Sequence, residues 1–166
     1  MRDGTGWNVK RSLLPDRLDR FALPPFAYVP GQTDRHPEGW FDKIKASIPV
    51  GLRPSELHHS MAWGAGLAFF DAGFFWECHE VLEAVWLLTP DPSPERHMVQ
   101  ALIQLANARL KLRMRRPRAT MRLCEMVRGH LAHCPAQDLI LGLSVDDMAK
   151  KVQDTELITR REIEAL

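Results

Sequence analysis

His79, Glu83 and Trp86 recur at one-turn spacing in Phe74-Phe-Trp-Glu-Cys-His-Glu-Val-Leu-Glu-Ala-Val-Trp86. Imidazole and carboxylate four residues apart lie about 40° apart on a helical wheel and one turn distant along the axis. Two readings compete. In the structural one the two side chains, expected to be buried on so apolar a helix, bond to each other, or to a Trp86 or Gln104 donor, and lock the register of a core. In the functional one His79 and Glu83 converge on a divalent metal ion, or act as an acid/base pair. Glu83 is then ligand or general base, Glu77 and Glu80 are auxiliary carboxylates, and Trp86 is a wall that excludes water.

A metal site needs three or four ligands, so further donors must come from neighbouring helices. A tight turn at Ala72-Gly73 makes the preceding helix and Phe74–Leu88 an antiparallel hairpin, from which His59 is expected to approach Glu83. Glu56-Leu-His58-His59 also has the Glu-x-x-His spacing of di-metal carboxylate bundles, but the full set needs two such motifs and the chain has one. On the segment after Pro94 a stripe of Arg96, Gln100, Gln104, Asn107 and Lys111 opposes an apolar face. Uncharged amides suit buried hydrogen-bonding positions, so Gln104 and Asn107, with Arg96, are expected to support the site. The ion expected is zinc, manganese or iron, and a small-molecule substrate is compatible with such a site.

The elements that must position these groups read as helices. Pro37-Glu-Gly39 precedes a short helix to about Ile48, and Pro54 opens one running to Asp71. Phe74–Leu88, Glu95 to about Met114, and Pro117 to near Cys134 follow, with Pro94 and Pro117 suited to first-turn positions. Leu139–Leu143 is a short apolar run of undecided type. Ser144 caps a helix to about Asp154, and Thr159-Arg-Arg-Glu162 reads as the capping box of a last one. The predicted fold is all-α, an antiparallel bundle of about five to seven helices over residues 38–166. Residues 1–37, with five prolines, form an extended arm. Its Phe21, Phe26 and Tyr28 need cover, which the arm finds either on its own bundle or, as the expected arrangement, on a second subunit in a homodimer.

At 166 residues the chain suits one domain with a real core. A net charge of +1 supplies no field to draw nucleic acid or membrane to the surface. The basic run Arg109, Lys111, Arg113, Arg115, Arg116, Arg118 and Arg122 has no interleaved aromatic residue for base stacking, so nucleic acid is not the expected partner. No apolar run is long enough to span a bilayer, and three irregularly spaced cysteines point to reduced thiols in the cytoplasm. Cys124, His130, His133 and Cys134 include ligand types but lack a matched zinc spacing.

The run Phe70–Trp86 resembles the signature of the prokaryotic family known as domain of unknown function 309. Its His-x-x-x-Glu-x-x-Trp/Tyr marker falls on His79, Glu83 and Trp86. The preceding elements fall on Phe70, Gly73, Glu77, His79 and Glu80, and a second stretch on Arg96 and Leu102–Ala106. The resemblance spans about residues 66–131 and departs from the family pattern at Ala101 and Lys111. It implies a helical fold and a motif suggested to bind metal, but no reaction. A metal-dependent hydrolase and a non-catalytic helical-hairpin interaction module therefore both stay open.

Overall fold

The computed structural model describes residues 22–166. They form six α-helices: α1 Asp42–Lys45, α2 Met61–Ala72, α3 Phe75–Trp86, α4 Pro94–Arg113, α5 Pro117–Leu131 and α6 Val145–Glu164. Successive long helices are antiparallel neighbours, α2 against α3, α3 against α4, α4 against α5 and α5 against α6. The expected all-α bundle is therefore the fold, and the helix count falls within the expected range. Among the described residues, no helix is long and apolar enough to cross a membrane.

Short polar residues start the helices where the sequence places them. Ser60, Ser93 and Ser144 have extended backbones, and their hydroxyls accept from the amides of Trp63, Arg96 and Asp147. Pro94 and Pro117 sit in first turns, where a missing N–H costs no helical bond. Gly73 ends α2 at φ 84°, and the amide of Phe74 reaches back to the carbonyl of Phe69 at 2.8 Å. Tight apposition of α2 and α3 depends on Gly66: a Cβ there would stand 2.7 Å from Leu82 Cγ.

Two local expectations are corrected, and one undecided segment is resolved. Pro54–Asp71 is not one helix: Pro54–His59 is a 3-10 segment, and α2 begins only after Ser60. The Ser60 hydroxyl also donates to the Leu57 carbonyl at 2.6 Å, so it closes one element while capping the next. The expected break near Asp154 is absent, because Thr155 and Thr159 donate to the carbonyls of Lys151 and Thr155 at 2.8 and 2.7 Å. Buried threonines satisfied within the helix continue it rather than cap a new one. Leu139–Ile140 and Leu143–Ser144 form a two-residue-turn hairpin, with Leu141 and Gly142 both at positive φ.

The core is continuous. Trp63, Phe69 and Phe70 of α2, Phe75, Val81, Leu82 and Val85 of α3, and Met98, Leu102 and Leu105 of α4 are at most 2% exposed. Leu131, Ile140, Met148 and Val152 extend it towards α5 and α6.

Residues 22–37 have no regular structure and lie on their own bundle. Tyr28 meets Trp76 edge-on at 5.1 Å, Val29 is buried, and the Gln32 side chain donates to the Arg113 carbonyl at 2.8 Å. Phe21 lies outside the described residues.

Candidate functional site

The i,i+4 spacing on α3 brings His79 and Glu83 into contact, with Nε2 and Oε1 2.7 Å apart. Glu80 lies on the same flank, its Oε1 4.0 Å from His79 Nδ1. His79, Glu80 and Glu83 each offer one ligand-type atom within 4.8 Å of the others, the one such group of three among the described residues. The expected burial of the pair is corrected. The side chains of His79, Glu80 and Glu83 are 24%, 22% and 53% exposed, so the group is open to solvent. A neighbouring ammonium already attends it, since Lys45 of α1 donates to Glu80 Oε2 at 2.9 Å.

Glu77 does not join this group, which corrects its place among the auxiliary carboxylates. It is fully buried, and its Oε2 accepts from the Tyr28 amide at 2.9 Å and meets His36 Nε2 at 2.7 Å. Its Oε1 has no hydrogen-bond partner. The His36 imidazole is 2% exposed, stacks with Phe26 at 4.9 Å between ring centroids, and meets Phe41 edge-on at 5.5 Å. Sequence reading missed His36. The available signal was a histidine set among the aromatic residues of an otherwise extended arm.

His59 is likewise not brought to the group. Leu82 faces Gly66 across the α2–α3 hairpin, which sets Glu83 level with about residue 65. His59 falls beyond the start of α2, where its ring lies 4.0 Å from that of His58. Burial, reinforced by this neighbouring imidazole, lowers the His58 pKa below its ordinary value.

Trp86 and Arg96, both expected as supports, come together. The Arg96 guanidinium carbon sits 3.8 Å from the Trp86 ring centroid, and Nη1 donates to the Thr89 carbonyl at 3.1 Å. Gln104 and Asn107 bond to each other at 3.3 Å rather than to the imidazole–carboxylate pair.

The basic run is not one surface. Arg109 is buried over Phe70, at 4.6 Å from its centroid, and donates to Thr155 Oγ1 at 3.2 Å. Arg113 lies over Phe75 and donates to the Gly73 carbonyl, tying α4 to the α2–α3 turn. Arg115, Arg116, Arg118 and Arg122 remain exposed. The signal for Arg109 was its place four residues after Leu105 and seven after Leu102, on the apolar face of α4.

Fold and surface together define an all-α bundle whose central helix carries an exposed imidazole–carboxylate group. Residues 63–123, from α2 into α5, match the family model described as Domain of unknown function (DUF309), the family the motif resembles. Comparisons with curated proteins and with solved structures find no match.

Proposed function

We propose that the His79–Glu80–Glu83 face of α3 binds a divalent metal ion and serves a metal-dependent hydrolysis. The observation that supports this most is the convergence of one imidazole and two carboxylates within 4.8 Å on a solvent-open helix face. Nitrogen and oxygen donors of this mixture fit zinc, manganese or iron. Three protein donors leave coordination positions free, as catalytic rather than structural sites do. A bound ion would supply an activated water. The residues divide the work: His79 and Glu80 hold the ion, Glu83 is ligand or general base, and Lys45 orients Glu80. Trp86, held by Arg96, walls the next turn of the helix.

The rival reading, a helical-hairpin interaction module, draws on Leu87 and Leu88, 71% and 52% exposed at the end of α3. The inner faces of the α2–α3 hairpin are consumed within the domain, which leaves little of it for a partner.

Manganese is the discriminating probe, because it favours carboxylate-containing sets over purely imidazole ones. Calorimetric titration of chelator-treated protein should give one equivalent of Mn²⁺, with affinity at least tenfold weaker in Glu83→Gln and lost in His79→Ala/Glu83→Gln. Both variants should keep the helical circular dichroism spectrum. Unchanged uptake in the double variant, or none in the parent chain, overturns the reading. If the pair is only structural, the variants lower the melting temperature with no metal effect.

A further inference from the structure

Three histidines of α4 and α5 form a second polar group that shares no residue with the first. His97 stands in the first turn of α4, His130 in the last turn of α5, and His133 just beyond it. His97 Nδ1 and His130 Nδ1 face each other at 3.0 Å. The His133 ring is stacked on that of His97, centroids 4.5 Å apart and planes 13° from parallel. No carboxylate hydrogen-bonds to any of the three imidazoles among the described residues, in contrast to His36 and His79.

We propose that His97, His130 and His133 form a site for a borderline divalent transition metal, with Zn²⁺ or Ni²⁺ as the fitting ions. Two ring nitrogens bound to one tetrahedral zinc at about 2.0–2.1 Å stand about 3.3 Å apart. The observed 3.0 Å separation therefore needs to open by only a few tenths of an ångström. Without a metal, the same contact requires one ring to donate a proton and the other to accept it. His133 stacks on His97 instead of pointing a nitrogen at the pair. It is exposed, so a change of rotamer can bring it in as third ligand. Cys134 is not a ligand here: it is buried, and its thiol contacts the carbonyls of Pro94 and His130 at 3.8 and 3.6 Å. An all-imidazole set selects zinc or nickel over manganese and magnesium, which separates this site from the one on α3.

The test uses the full chain carrying Glu80→Gln and Glu83→Gln, stripped with a chelator, which leaves all three histidines in place. Calorimetry at pH 7.5 should show one equivalent of Zn²⁺ bound. His97→Ala and His130→Ala should each weaken binding at least a hundredfold, and His133→Ala about tenfold. Long-range proton–nitrogen spectra of the chain with its histidines intact should show zinc shifting the ring nitrogens of His97 and His130. That measurement stands even if an alanine variant fails to fold. No zinc uptake by this chain, binding indifferent to His97→Ala and His130→Ala, or zinc shifts confined to other histidines would each overturn the proposal. Because the α3 site is read with Mn²⁺ and its own variants, either reading can fail without the other.

Discussion

Replacing His36 by alanine tests whether a buried carboxylate clamps the arm to the bundle. Glu77 has no exposed surface, and its Oε2 has two partners, the Tyr28 amide and His36. Removing His36 strips one of them from a carboxylate that water does not reach. A hydrogen bond to such a group contributes about 1.5–3 kcal/mol. The stacked contact with Phe26 and the edge contact with Phe41 add roughly 0.5–1 kcal/mol. A loss of about 3 kcal/mol corresponds to a fall of roughly 6–12 °C in Tm for a chain of this size. Urea denaturation of His36→Ala, Glu77→Ala and the double variant measures the coupling between them, expected at about 1–3 kcal/mol. Glu77→Gln should be milder than Glu77→Ala, because the amide oxygen can still accept from Tyr28. Additive losses in the cycle, or a His36→Ala chain as stable as the parent, would refute the clamp.

Gly73→Ala should cost about 1–3 kcal/mol in urea denaturation, since φ is 84° there and a Cβ would lie 2.6 Å from Arg113 Nη2. A chain beginning at Glu38 exposes Glu77 and Trp76, and should have a lower Tm than the full chain. Light scattering on both tests the expected homodimer: equal masses would mean that the arm does not drive assembly. Burial, reinforced by neighbouring imidazoles, holds the pKa values of His58, His97 and His130 below their ordinary 6.5. The unfolded chain therefore takes up protons that the folded chain refuses. Stability is full above about pH 6.5 and is lost as pH falls below that value towards the folded pKa values. With chelator present, Tm should fall between pH 7.5 and 5.5, and His130→Gln should flatten part of that fall; a level profile would contradict the assignment.

Local chemistry was legible in the sequence by itself. Proline and serine placement marked the starts of α4, α5 and α6, Gly73 marked the end of α2, and i,i+4 spacing alone put His79 against Glu83. These features depend on a few consecutive residues and on helical geometry, which tertiary contacts here leave unchanged. The burial of polar groups was decided by the tertiary structure. Glu77 and Glu80 are three residues apart on one helix, yet the arm covers the first and leaves the second part-exposed. That difference rests on a partner 41 residues away, His36, which no helical wheel contains. Arg109 belongs to a basic run in the sequence and to the core in the fold, because Phe70, Phe75 and Thr155 supply contacts from three other helices. His97 and His130 meet only because α4 and α5 are antiparallel neighbours, so their contact had no counterpart in the spacing of the chain. Sequence spacing governs which side chains share a helix face, whereas long-range packing governs which of those faces water reaches.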